Sequence, residues 1–548
     1  MPRSVIASIL AVVLGALLPA SLDAQLPPDG PGGACASLTG MANLTITAAE
    51  IRDPDSGGLP YCYARGILPP AIGFHMQLPL PDQWNGRFLK WGDGGKDGDL
   101  DFADHRVAEG YAVANSNMGH DSGAEPGSSF AFHNRQAEID FGYRAVHLTV
   151  VAAKEIIETY YGEPPEYSYF EGCSTGGREG LMEAQRYPYD FDGIIAGAPA
   201  HHYQELNAAR TWLLQKMYMD GFAGSLSFDT DGDGLPDSPL VVERIAEAVL
   251  EKCDAIDGIT DGVIDNPPAC DFDPDRDLAE MMCAGDVGGE SCLTTLQLRH
   301  VRDFYSGPYD SYGISVYPGH TLGSEPEWAR LYVPHAGNRY AAGALGITGD
   351  HLNYLFYEND PGVPLPDLAD LGLKPDPTRT PPEWAWWQFD IDDVTRGEGD
   401  LMMGITDATD PELGRFLLGN DGKLILYHGW SDGLIVPGPT IGYYEAMVET
   451  TFGGDLDAAR ERARLFLMPG MGHCAGGPGP NTWDRLPPLV EWVERGVAPD
   501  AIIATHSTDG VIDNERPIYP YPDQAVYTGP AGGENDPANW VAENFSRR

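Results

Sequence analysis

The residues best placed for chemistry are Gly172-Cys173-Ser174-Thr175-Gly176, a serine among small neighbours. The apolar run YSYF precedes them and the helix-like run REGLMEAQRY follows. A nucleophilic serine needs that setting: a tight strand-to-helix turn exposes its hydroxyl, and the next backbone N–H, here that of Thr175, can bind an oxyanion. Serine also needs a base, and the base an orienting acid, in the chain order Ser, Asp or Glu, His. Asp432 follows the strand-like KLILYHG in Trp430-Ser431-Asp432-Gly433, and His473 follows RLFLMPG in Met471-Gly472-His473-Cys474. Order and spacing both match. The second oxyanion donor is expected from the glycine-rich KWGDGGKDG (90–98), at Gly94 or Gly95.

Proximity among the eight cysteines suggests Cys35–Cys62, Cys253–Cys270 and Cys283–Cys292, though spacing alone does not settle a pairing. Cys173 and Cys474 remain. One precedes the proposed nucleophile and the other follows the proposed base, so a working Ser–His pair would bring them together. A disulfide there would clamp nucleophile to base. No CxxC or Cys/His zinc spacing occurs.

Placing three such loops side by side requires a sheet. RFLKW, GYAVANSNM, SYFEGCS, FDGIIAGAPA, KLILYHG and RLFLMPG read as buried strands. Between the second and third, Glu138–Tyr161 has the helical spacing of Ile139, Val146, Val150, Ile156 and Tyr160. This alternation predicts an α/β fold with a mostly parallel sheet. Residues 202–412, rich in Pro, Gly and Asp, read as an inserted domain, with 25–201 and 413–548 forming the catalytic domain. Met1–Ala24, with Arg3, the apolar run Val5–Leu18 and Ala20 or Ala24 for cleavage, reads as a secretory signal. The expectation is a secreted or periplasmic protein, free of the membrane once the signal is removed. With 34 basic against 82 acidic residues and a net charge of −48, binding to nucleic acid or anionic membranes is excluded. Only seven of the basic residues are lysine. Such a surface stays soluble by acidic self-repulsion, as in proteins from salty surroundings.

The chain resembles the tannase/feruloyl esterase family, which includes the mono(hydroxyethyl) terephthalate hydrolases. The matching pieces are GDGGKDG, GHDSG, DFGYRAVH, YSYFEGCSTGGREGLMEAQRYP, FDGIIAGAPA, YPGHTLGSEPEW, YHGWSD and PGMGHCAGG, spread over about residues 80 to 480 in the family's order. The resemblance implies an α/β-hydrolase core with a large lid inserted between serine and aspartate. It implies paired cysteines at Cys173-Ser174 and His473-Cys474, and supports the Cys253–Cys270 pairing. It also implies a structural Ca²⁺ in CDAIDGITDGVIDNP (253–267), held by the carboxylates of Asp254, Asp257 and Asp261 and the carbonyls of Ile259 and Val263. Closely spaced hard oxygens suit that ion.

A separate run through Asp229, Asp231, Asp233 and Asp237 looks like a second calcium loop, but no Glu stands at the twelfth position. Trp328, Trp384, Trp387 and Phe389 could stack on a phenolic acyl group, and Arg396 is a candidate grip for a free carboxylate. The expected function is a secreted serine esterase acting on esters of aromatic acids, hydroxycinnamic, gallic or related. The substrate would be a small ester, free or attached to plant polysaccharide or polyphenol, and no organic cofactor is needed. The alternatives are a mono(hydroxyethyl) terephthalate hydrolase-like activity and a silent calcium-binding extracellular protein.

Overall fold

A computed structural model describes residues 30–54, 57–336, 343–361 and 386–544. The segment read as a secretory signal and Trp384 lie outside the described residues. Nine strands form one sheet: β1 (Thr45–Arg52), β2 (Tyr61–Leu68), β3 (Ile72–Pro79), β4 (Arg87–Trp91), β5 (Ala112–Ser116), β6 (Tyr167–Cys173), β7 (Gly193–Gly197), β8 (Lys423–Gly429) and β9 (Ala463–Met468). Their order is β1-β2-β3-β5-β4-β6-β7-β8-β9. The pairs from β5 through β9 are parallel, whereas β1, β2, β3 and β5 pair antiparallel. All six strands read from sequence are present, and three antiparallel strands extend one edge.

Every residue of β7 and β8 is buried, which explains why both read as unbroken apolar runs rather than alternating ones. Successive side chains still point to opposite faces. Ile194, Leu424 and Leu426 join the layer containing helices Ala145–Tyr161 and Thr175–Arg186, while Ile195, Ile425 and Tyr427 meet helix Leu486–Arg495 on the other face. A fully buried aliphatic side chain of this kind contributes about 1.5–3 kcal/mol. The helix expected over Glu138–Tyr161 is interrupted by a π turn at Asp140–Arg144 before the regular stretch from Ala145.

Among the described residues, no strand of this sheet falls between β7 and β8. The intervening chain is mainly helical, with Tyr203–Tyr218, Leu240–Cys253 and Thr295–Ser306 its longest helices. The last of these begins with a reciprocal cap between Thr294 and Gln297. Four disulfides are present: Cys35–Cys62, Cys173–Cys474, Cys253–Cys270 and Cys283–Cys292. After β9 the chain adds two small hairpin sheets, Ile502–Thr508 with Val511–Ile518 and Asp523–Tyr527 with Trp540–Asn544. Both hairpins fall within the 413–548 stretch expected to complete the catalytic domain. No described helix is long and apolar enough to cross a membrane.

Candidate active site

β6 ends at Cys173, and Ser174 turns the chain into helix Thr175–Arg186 with φ 64° and ψ −120°. A non-glycine residue holds such a conformation only where its surroundings impose it. The Ser174 N–H donates to Gly197 O at 2.9 Å, and its carbonyl accepts from the Ala200 N–H at 3.0 Å. The turn also needs its glycines. A Cβ on Gly177 would lie 2.3 Å from Gly197 O, and one on Gly176 would lie 2.7 Å from Asp93 O.

The loop after β4 closes over this turn. Gly176 N–H donates to Asp93 O at 2.7 Å, and the Thr175 hydroxyl donates to Gly95 O, also at 2.7 Å. The N–H groups of Gly94 and Gly95 have no hydrogen-bond partner among the described residues, and Gly94 is exposed. They are therefore free to receive an anion.

Asp432 and His473 lie at the ends of β8 and β9. His473 Nδ1 is 2.8 Å from Asp432 Oδ2. The other carboxylate oxygen accepts the backbone N–H groups of Leu434 and Ile435 at 2.9 and 2.8 Å. Burial opposes the charge on Asp432. The adjacent His473, with hydrogen bonds from His428 and His473, nonetheless holds the carboxyl well below the usual carboxylate range. The Cys173–Cys474 disulfide, with Cα atoms 6.1 Å apart, joins the serine turn to the histidine loop. Cys474 Sγ lies 3.7 Å from His473 Nε2, so the ring nitrogen not used by Asp432 faces the end of β6.

Other residues hold the aspartate loop and were not singled out from sequence. His428 Nε2 lies 2.7 Å from Ile435 O and 3.3 Å from Asp432 Oδ2, while its Nδ1 is 2.9 Å from Thr440 Oγ1. From the inserted region, Arg210 donates twice to Leu434 O at 2.9 and 2.6 Å. His320 Nε2 and the Tyr332 hydroxyl meet Gly433 O at 3.0 and 3.1 Å. His428 stands four residues before Asp432, a signal the sequence did offer. Of the remote residues, His320 lies within the YPGHTLGSEPEW stretch, whereas Arg210 and Tyr332 stood in no motif.

In the calcium-like loop, Asp254 accepts the N–H groups of Asp261 and Gly262, and Asp257 that of Ile259. Asp261 in turn accepts from Val263 N–H. Asp257 Oδ2 is buried with no hydrogen-bond partner, and the guanidinium of Arg516, 3.9 Å away, is the cation that faces it. Arg516, from the first C-terminal hairpin, reaches the same loop and pairs with Asp261 and with both oxygens of Asp265. In the second acidic loop, oxygens of Asp229, Asp231 and Asp237 come within 4.8 Å of one another. There Asp229 accepts the N–H groups of Gly232 and Gly234, Asp231 that of Asp233, and Asp233 that of Leu235.

The expected substrate contacts need correction. Trp328 is completely buried, stacked on Phe304 at 4.3 Å, with its Nε1–H donated to Ser324; it is a core residue with no surface to offer a ligand. Arg396, half exposed, is already paired with Asp390, Asp392 and Asp393 at 3.1, 3.0 and 2.9 Å. Trp387 and Phe389 border a hollow of about 420 Å³ with Trp212, Lys216 and His300, which none of Ser174, Asp432 and His473 lines.

A serine on a strained strand-to-helix turn beside a histidine–aspartate pair, on a largely parallel sheet, defines an α/β-hydrolase-type fold and site. The family model described as tannase and feruloyl esterase matches residues 62–539, and the chain belongs to that family of carboxylic ester hydrolases. It is 32% identical to a mono(2-hydroxyethyl) terephthalate hydrolase from Piscinibacter sakaiensis, over 85% of this chain and 80% of that protein. It is 31% identical to a probable feruloyl esterase B-2 from Aspergillus flavus, over 79% and 77% of the two chains. Among solved structures, an esterase from Aspergillus oryzae superposes with a TM-score of 0.75 at 25% identity, covering 93% of this chain and all (100%) of that one. Feruloyl esterase B from the same organism shares the fold, with a TM-score of 0.76 at 23% identity and coverage of 94% and 100%.

Proposed function

We propose that this protein is a secreted serine esterase that hydrolyses esters of aromatic carboxylic acids through an acyl-enzyme. The observation carrying this reading is the disulfide-clamped arrangement of Ser174 on its strained turn against His473 and Asp432. Ser174 Oγ attacks the ester carbonyl while His473 Nε2 takes the hydroxyl proton. Asp432 accepts the Nδ1–H and stabilises the imidazolium. The oxyanion receives the N–H of Thr175 and one from Gly94 or Gly95. His473 returns the proton to the departing alcohol oxygen, then activates a water that splits the acyl-enzyme, releasing the acid and restoring Ser174.

Ca²⁺ would be held by Asp254, Asp257 and Asp261 with the carbonyls of Ile259 and Val263. Its contribution is structural, cross-linking the inserted region, and no proton or acyl step passes through it. Hydroxycinnamoyl or galloyl esters on plant polysaccharide or polyphenol are the substrate class that the family description favours. The similarity to the terephthalate half-ester hydrolase supports a second acyl group.

The test is hydrolysis of methyl ferulate, methyl gallate and mono(2-hydroxyethyl) terephthalate, with fluorophosphonate labelling of wild type and Ser174→Ala. Labelling confined to wild type, with turnover of at least one ester, is expected. Equal labelling of both proteins refutes the serine mechanism. Activity only on short aliphatic esters refutes the aromatic assignment.

A further inference from the structure

The loop carrying Gly94 and Gly95 has little structure of its own. Gly95, Asp97 and Gly98 all adopt left-handed backbone, with φ of 68°, 58° and 99°. Its backbone is tied to the serine turn through Asp93 O and Gly95 O, and to the neighbouring loop by Ser122 N–H donating to Gly98 O at 2.9 Å. Such a loop must still be fixed on its remaining side, because oxyanion stabilisation depends on donors held in place before the charge develops.

Lys96 makes that connection. Its Nζ reaches His351 Nδ1 at 2.8 Å and the Tyr203 hydroxyl at 3.3 Å. His351 Nε2 lies 2.9 Å from Gln204 Oε1, Gln204 Nε2 donates to Thr406 Oγ1 at 2.8 Å, and the Thr406 hydroxyl donates to Met402 O at 2.8 Å. Every partner belongs to the inserted region between β7 and β8. All donors run in one direction, away from Lys96. That direction requires the lysine to donate and His351 to be neutral with its proton on Nε2. Burial also favours the neutral imidazole, pressing His351 well below the ordinary histidine range.

We propose that Lys96 is a positioning residue, which locks the oxyanion loop to the inserted region through His351, Gln204 and Thr406 and so sets the turnover number. The proposal rests on the esterase reading and adds a residue that does not touch substrate. Protonated Lys96 is the strong donor, since charge-assisted hydrogen bonds are about twice as strong as neutral ones. Desolvation presses its ammonium down to about 7; Asp350 and Asp97 oppose this, while Arg210 and Arg178 reinforce it. Raising the pH through neutrality therefore weakens the tether, while burial holds the neighbouring carboxyls of Asp350 and Asp97 above the usual carboxylate range, Asp97 well above it.

The experiment measures kcat and KM against pH for wild type, Lys96→Met and Lys96→Arg, using a p-nitrophenyl ester beside an aromatic-acid ester. A loop displaced by about 1 Å costs on the order of 100-fold in rate, so Lys96→Met should lose between about 10- and 100-fold in kcat with KM within about threefold. Lys96→Arg, permanently charged, should keep kcat within about fivefold and lose the alkaline decline that wild type shows above about pH 7. The proposal is overturned if Lys96→Met keeps kcat within twofold, or if Lys96→Arg falls as far as Lys96→Met. It is equally overturned if the alkaline limb of Lys96→Arg coincides with that of wild type, a criterion that decides even where Lys96→Met does not fold. Failure of the esterase reading looks different: Ser174→Ala would then hydrolyse the p-nitrophenyl ester as well as wild type does.

Discussion

Removal of the Cys173–Cys474 disulfide by the double substitution Cys173→Ala/Cys474→Ala separates two roles of one bond. The sequence separation it closes is 301 residues. The loop-closure relation assigns such a cross-link about 5–6 kcal/mol of unfolded-state entropy. A folded chain of about 500 residues unfolds with an entropy near 1 kcal/mol/K, so the melting temperature should fall by about 5 °C. Catalysis should suffer separately. Without the disulfide, Ser174 remains tied to Gly197 and His473 to Asp432, but nothing covalent fixes the spacing between those two halves. A roughly tenfold or greater loss of kcat with little change in KM is expected, because the geometry of proton transfer is disturbed rather than substrate binding. Thermal melts followed by circular dichroism, and steady-state hydrolysis well below the variant's melting temperature, read the two effects. An unchanged melting temperature would refute the entropic account. An unchanged kcat would show that the non-covalent anchors suffice.

Asp432→Asn should fold, since its carbonyl oxygen can still accept the Leu434 and Ile435 amides, but its NH₂ would face His473 Nδ1 and impose the wrong tautomer. In the chymotrypsin triad that change costs about 10⁴ in kcat, and a loss within tenfold of that figure is expected here. His320 is buried neutral, its imidazole pushed down to about 4 by desolvation. Unfolded, it takes a proton from about pH 6.5 downward, so it withdraws stability between pH 6.5 and 4 at up to about 1.4 kcal/mol per pH unit. Urea titrations should show wild type losing more stability than His320→Gln over that window; parallel losses would refute the reading. EGTA should lower the melting temperature of wild type reversibly, and Ca²⁺ at 100 times Kd should restore about 2.7 kcal/mol of stability. Asp257→Asn should melt low and respond to neither reagent, and a full calcium response from that variant would remove Asp257 from the ligand set.

The sequence by itself determined the parts whose chemistry is local. GCSTG needs small residues because neighbouring backbone comes within 3 Å of where side chains would begin, so the turn is written in its glycines. The six parallel-sheet strands were legible because burial on both faces demands continuous apolar runs. Cys173 and Cys474 could be paired because each adjoins a residue whose partner chemistry requires a neighbour. The antiparallel strands β1–β3 were not legible: β1, at the sheet edge, carries a mixed polar pattern, and β2 and β3, though largely buried, interrupt their apolar runs with Arg65, His75 and Gln77. Nor were the roles of Arg210, His320 and Tyr332, which grip the aspartate loop from more than 100 residues away in the chain. Trp328 shows the opposite failure: aromatic composition cannot distinguish a ligand platform from a core, because the difference is only which atoms surround the ring. Tertiary structure alone decided those points, since contacts between distant segments follow from how layers pack and leave no fixed spacing along the chain.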